Sequence, residues 1–210
     1  MDPYDNNIYL ILGGAYFKTG NFSQAEKILL QGIELFPENG DLYVQLGTVY
    51  ENRNRLSKAA AVLKEALTKK DTNRPTAYNN LGIVYWRMKN YQQSVSFAKQ
   101  ALATDPDFLD AYLTLGITYE DMGYQEQAFA QFRKGWEKGL DMVAIYYNWA
   151  DNYIKMNQLN RAIIYLKEAV ILEPGRPEIH EKLATAYIKK GLFKEAENEK
   201  RRAAEIRAGK

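Results

Sequence analysis

Residues 77–91 read AYNNLGIVYWRMKNY. Apolar side chains recur there three and four places apart, the spacing of a helix buried along one face. Gly82 stands inside that pattern, between Tyr78 and Tyr85, where glycine weakens a helix by about 1 kcal/mol relative to alanine. A helix that keeps such a residue must gain something from the missing side chain.

Leu81-Gly82 has counterparts at Leu12-Gly13, Leu46-Gly47, Leu115-Gly116, Trp149-Ala150 and Leu183-Ala184. The small residues of these pairs lie 34, 35, 34, 34 and 34 residues apart. Three places after each comes a tyrosine: Tyr16, Tyr50, Tyr85, Tyr119, Tyr153 and Tyr187. Four places before it stands Tyr9, Tyr43, Tyr78, Tyr112, Tyr146 or, in the last unit, His180. Two columns thus hold eleven of the sixteen tyrosines, so the rings serve the repeat and not a local site.

Further small residues follow in register: Ala25, Ala59, Ser94, Ala128, Ala162 and Ala196, then Gly32, Ala66, Ala101, Gly135, Ala169 and Ala203. Pro37, Pro106 and Pro174 close units where a helix must stop. Gly20, Asn54, Asn90, Gly123, Asn157 and Gly191 mark a turn near the middle of each unit. Self-similarity at this period signals a stacked repeat architecture.

These columns resemble those of the tetratricopeptide repeat, present six times over 6–39, 40–73, 75–108, 109–142, 143–176 and 177–210. The resemblance implies an all-α fold, a right-handed superhelical α-solenoid of six two-helix repeats with about twelve antiparallel helices, forming one array over 1–210. Helix axes pack about 8–10 Å apart, so Gly82 and Ser94 are expected to let the helices of one unit approach. Ala101 is expected to let the next unit settle, with tyrosines filling the gaps. A ring burying about 150–250 Å² at about 25 cal/mol per Å² contributes several kcal/mol, more than the glycine costs.

Departures from the columns carry their own expectations. Asp71, Leu140 and Ala208 replace the closing proline, and the one additional residue falls within 68–73, lengthening that loop. Lys200 stands where Leu29, Leu63, Ala98, Phe132 and Leu166 stand in earlier units, so the polar last helix reads as a solenoid cap. The first helix instead carries Leu10, Ile11 and Phe17, an apolar set expected to be covered by preceding sequence or a partner. The repeats begin within a few residues of the first methionine, which suits a piece of a longer parent chain.

Little in the chain points to chemistry. Lys and Arg number 28 against 26 Asp and Glu, so nucleic-acid binding is not expected. Cysteine is absent, which removes disulfides and thiolate zinc sites. No run approaches the roughly 20 apolar residues of a membrane span, and the acidic start does not read as a signal peptide; a cytoplasmic location without membrane insertion is expected. The one histidine, His180, sits in the tyrosine column and has neither a second histidine nor a cysteine with which to share a metal. Gly13-Gly14 lacks phosphate-loop spacing. Glu120 and Asp121 are adjacent, hence about 100° apart on a helix, and read as a solvated face. Asn21-Phe22-Ser23 fits a glycosylation sequon but lies in a turn between helices. Lys200, Arg201, Arg202 and Arg207 interleave with acids and read as a salt-bridged surface. No catalytic, cofactor or metal site is expected, and no enzyme.

Stacked units curve and present an extended surface; the family resemblance implies that the first helices line it and that peptides bind there. Two places before each small residue stand Ile11, Gln45, Asn80, Thr114, Asn148 and Lys182. Asn and Gln offer both donor and acceptor, which suits a peptide backbone. Nearby positions add Thr48, Asn79, Ile83, Ile117, Tyr147 and Asp151, with Trp86 as an aromatic anchor and Arg87 at the edge. The set expected of arrays that clamp the carboxylate of heat-shock chaperones is missing, since the second unit offers Gln45 and Thr48 and the fourth Thr114 and Ile117. The leading expectation is a non-catalytic protein–protein interaction scaffold that takes a peptide or helical segment of a partner. The alternatives are self-assembly through Leu10, Ile11 and Phe17, or a regulatory module of a larger enzyme.

Overall fold

The computed structural model describes residues 6–209. Twelve helices follow in order: α1 (Asn6–Lys18), α2 (Phe22–Leu35), α3 (Gly40–Asn52), α4 (Leu56–Ala66), α5 (Arg74–Arg87), α6 (Tyr91–Thr104), α7 (Leu109–Asp121), α8 (Gln125–Glu137), α9 (Met142–Lys155), α10 (Leu159–Leu172), α11 (Pro177–Lys190) and α12 (Phe193–Arg207). No strand occurs among the described residues; one isolated bridge joins Asn39 and Asp71. The expected pairs are all present. Helix α5 begins one residue before the anticipated boundary, at Arg74, and α9 one residue before its own, at Met142.

Local chemistry sets the helix starts. Asn21, Asn39, Asn73 and Asn90 each precede a helix and accept a backbone N–H from its first turn, satisfying a donor the helix itself cannot. The mid-unit turns use the left-handed region at Gly20, Asn54, Gly123, Asn157 and Gly191, as expected. In the third unit the left-handed residue is Lys89 (φ +59°), not Asn90. Lys89 lies seven places after Gly82, as each other turn residue lies seven after its own small residue. Helix length therefore fixes where the chain must turn, and the asparagine one place later is used as a cap.

The longer loop lies where the additional residue was expected. Helix α4 stops at Ala66, and Thr72 donates through Oγ1 to the Ala66 carbonyl at 2.7 Å. The loop is held from the other side: Asp41 donates its N–H to the Asp71 carbonyl at 3.1 Å and accepts from the Asn73 N–H at 2.7 Å.

Residues through Lys138 form one compact unit and residues from Gly139 a second. In the first, each first helix packs on its own second helix, and α1, α3, α5 and α7 also lie side by side. The core runs between these layers through Leu29, Leu42, Leu46, Leu63, Leu81, Leu115 and Phe132. In the second unit α9 packs on α10, α10 on α11 and α11 on α12. An aromatic group there brings Trp149, which takes a leucine position, within 5.2 Å of the Tyr165 ring centre. Polar α12 buries only Ala196 and Ala203 fully, as a cap requires.

Small residues sit where helices touch. A methyl built on Gly116 would lie 2.0 Å from a ring carbon of Phe132, and one on Gly47 would lie 2.5 Å from Leu63. At Gly82 the opposing residue is Ala98, and the nearest atoms to an added methyl are Thr114 at 3.3 Å and the Ser94 carbonyl at 3.4 Å. Close approach is thus real at all three, but it is tightest where a large side chain faces the glycine. No described helix is long and apolar enough to cross a membrane.

Candidate functional site

Side-by-side packing of α1, α3, α5 and α7 leaves shallow clefts between neighbouring first helices. Gly13, Gly14, Phe17, Gln45, Thr48 and Val49 line one of about 90 Å³. Thr48 is shared with the next, also about 90 Å³, where Glu51, Asn80 and Ile83 contribute. Asn80 and Ile83 are shared in turn with the largest, about 340 Å³, whose other walls are Trp86, Asp110, Leu113 and Ile117 over a floor of Asn79 and Thr114. These clefts form one continuous run across a single face of the first unit. No Lys or Arg lines it.

The expected binding residues divide by how their polar atoms are used. Asn79 and Thr114, expected to face a ligand, are 3% and 7% exposed. Thr114 Oγ1 donates to Asn79 Oδ1 at 2.8 Å; Thr118 Oγ1 donates to the Thr114 carbonyl and lies 2.8 Å from Ser94 Oγ. These groups tie the third repeat to the fourth. Arg87 likewise is not a free edge cation. It pairs with the Glu51 carboxylate, donates to the Glu51 carbonyl at 2.6 Å and reaches Asn54 Oδ1 at 3.2 Å.

Asn80 is half-buried, lines the cleft and donates through Nδ2 to Thr48 Oγ1 at 3.2 Å, which leaves its Oδ1 unspent. Gln45 Oε1 is buried without a hydrogen-bond partner. Ile83, Ile117 and Trp86 are half-buried cleft walls. Trp86 is not a loose anchor: its Nε1–H donates to Asp121 Oδ2 at 2.7 Å, fixing the indole across to α7. Asp110 and Asp121 were not among the expected site residues. The repeat register could have found the second, because Trp86–Asp121 and Glu51–Arg87 join equivalent positions of successive units.

The second unit places Tyr147, Asn148 and Asp151 along α9. Tyr147 and Asn148 line a depression of about 280 Å³ with Ala144, Arg176 and Glu178. Lys182 Nζ lies 4.2 Å from the Tyr147 ring centre and 2.6 Å from Asp151 Oδ1, while Lys155 reaches Asp151 Oδ2 at 2.6 Å. Hydrogen bonds from Lys155 and Lys182 hold the Asp151 carboxyl down at a pKa of about 2. Burial works against the charge of Lys182, and Asp151 with Tyr147 outweighs it, leaving that ammonium above its ordinary range. Asn148 is exposed. Of the apolar first-helix set, Leu10 and Phe17 pack onto the unit's own core and Ile11 alone is strongly exposed, at 69%. No cluster of metal-ligating side chains occurs among the described residues.

Helix pairs recurring every 34 or 35 residues, joined by left-handed turns and nested through small residues, define an all-helical repeat protein with an open first-helix face. Sequence profiles described as Tetratricopeptide repeat match residues 39–107, 7–39 with 109–135, and 147–210. The chain belongs to the tetratricopeptide repeat family, whose members in general mediate protein–protein interactions. It is similar to the anaphase-promoting complex subunit CDC16 of Saccharomyces cerevisiae, 25% identical over 91% of this chain and 23% of that protein. It is also similar to the human protein O-mannosyl-transferase TMTC3, 24% identical over 72% of this chain and 18% of the other. The chain spans no more than about a quarter of the length of the first curated relatives it matches. Among solved structures, Pseudomonas aeruginosa pilF shares the fold, with a TM-score of 0.67, 20% identity and coverage of 98% of this chain and 97% of that one.

Proposed function

We propose that the protein is a non-catalytic scaffold that binds a peptide or helical segment of a partner protein on the first-helix face of α3, α5 and α7, within a single array over residues 1–210. The observation that carries this reading is the cleft of about 340 Å³ lined by Ile83, Trp86, Leu113 and Ile117. Apolar walls with a few polar groups are what a binding site for side chains needs. The indole is held in place before any ligand arrives, so little ordering entropy is lost on binding. Asn80 Oδ1 stands along this face as a backbone hydrogen-bond partner, and Gln45, whose Oε1 is buried, offers its amide N–H. On the second unit, Tyr147, Asn148 and Asp151 are the corresponding contacts.

Trp86→Ala combined with Asn80→Ala tests it. Partner capture from native lysate should fall at least tenfold while helix content by circular dichroism is retained. Undiminished capture by a folded double variant excludes this face. A second reading, self-assembly, rests on exposed Ile11 and is checked by light scattering over a concentration series.

A further inference from the structure

The charges around the large cleft specify what would occupy it. Along α7, Asp110, Leu113, Thr114, Ile117 and Asp121 fall at helical positions i, i+3, i+4, i+7 and i+11, one stripe on one face. The stripe is apolar in its middle and acidic at both ends. Asp110 is exposed, lines the cleft, and makes no side-chain hydrogen bond or ion pair among the described residues. Asp121 is exposed, and its Oδ2 accepts the Trp86 indole N–H at 2.7 Å, leaving Oδ1 open.

Among the described residues no Lys or Arg pairs with either carboxylate. The lining contains no Lys or Arg, and the nearest candidate on α5, Arg87, is already spent on Glu51 and Asn54. An acidic partner would meet uncompensated repulsion, whereas a basic one would neutralise both ends.

Resting on the function proposed above, we propose that the occupant is an extended segment of a partner protein with one bulky apolar side chain flanked on each side by Lys or Arg. The apolar side chain seats between Ile83, Trp86, Leu113 and Ile117. The flanking cations meet Asp110 and Asp121. Eleven residues of helix separate those two by about 16 Å, a distance an extended chain covers in about five residues. The cations therefore fall two or three positions to either side of the apolar residue. The commitment to basic flanks follows from Asp110, which has no side-chain partner among the described residues.

A phage-displayed library of random short peptides, panned on the full chain, is the probe. Selected peptides should share an apolar residue with Lys or Arg two or three positions away on both sides. Asp110→Asn and Asp121→Asn should each weaken a selected peptide about two- to fivefold and flatten the loss of binding with added salt. The asparagine at 121 can still accept the indole N–H, so helix content should not change. Peptides that lose binding to Trp86→Ala but show no basic preference, or bind both asparagine variants unchanged, overturn the charge inference and leave the cleft's function standing. Selected peptides that bind the Trp86→Ala, Asn80→Ala double variant unchanged overturn the cleft itself. Failure to enrich any peptide overturns both.

Discussion

Replacing Gly116 by alanine adds one methyl to the most crowded of the helix contacts at Gly47, Gly82 and Gly116. That methyl would sit 2.0 Å from Phe132 Cε1 and 2.4 Å from Cδ1. Phe132 has no exposed surface, and the Phe129 ring lies 6.3 Å away. Forcing a methyl into a well-packed core costs about 1–3 kcal/mol, occasionally more. Alanine regains about 1 kcal/mol of helix propensity, so the expected net loss is about 0–2 kcal/mol.

Gly82→Ala is the matched control. There the methyl meets Thr114 Cγ2 at 3.3 Å and the Ser94 carbonyl at 3.4 Å, a displacement of a few tenths of an ångström. The propensity gain then dominates, and the variant should be between unchanged and about 1 kcal/mol more stable. Adding Phe132→Leu to Gly116→Ala recreates the Ala150 and Leu166 pairing of the fifth repeat, both of which are buried there. The double variant should be less damaged than the single effects added together, by at least about 0.5 kcal/mol. Urea unfolding followed by circular dichroism reads the parent, the three single variants and the double variant, with the slope checked because repeat arrays can unfold in stages. If Gly116→Ala unfolds like the parent while Gly82→Ala loses more than about 1 kcal/mol, facing side-chain size does not set the need for glycine.

At the last repeat, His180 Nε2 donates to the Pro174 carbonyl at 3.0 Å, as the Tyr43 and Tyr112 hydroxyls donate to Pro37 and Pro106 at 3.0 Å. His180→Tyr should therefore cost less than His180→Phe, which leaves that carbonyl and Glu199 without the donor and should lose about 1–3 kcal/mol in thermal unfolding. The Asp151 carboxyl, held at about 2 by Lys155 and Lys182, lies below its unfolded value. Its contribution is therefore complete above about pH 4 and lost as pH falls toward 2. Because the side chain is about one-third exposed, screening limits that contribution to about 1 kcal/mol. Asp151→Asn should be less stable than the parent at neutral pH, with the gap closing between about pH 4 and 2 in urea titrations.

The fold was legible in the sequence because its determinants are periodic. Small residues, tyrosines and turn residues recur at one interval, and each helix pair follows from the same local rules. The third turn shows the limit of reading composition alone: Asn90 has the preferred residue type, yet register places Lys89 in the left-handed position. The binding face was legible only in part, for a reason that the contacts themselves expose. In two units the residue two places before the small position reaches back to the residue one place after the preceding small position, as Asn80 does to Thr48 and Lys182 does to Asp151. Polar type alone does not say whether such a residue serves the neighbouring repeat or a ligand. The partner one repeat earlier decides it. Where that neighbour can accept, the polar group is consumed internally; where a hydrophobic Ile83 stands there instead, Thr114 turns to Asn79. The same logic separates the carboxylates: Glu51 faces Arg87 of the following repeat and is neutralised, whereas Asp121 faces an indole and keeps its charge. Pairing each column with its successor, instead of reading it down the chain, is what distinguishes a stitch between repeats from a contact left open to a partner.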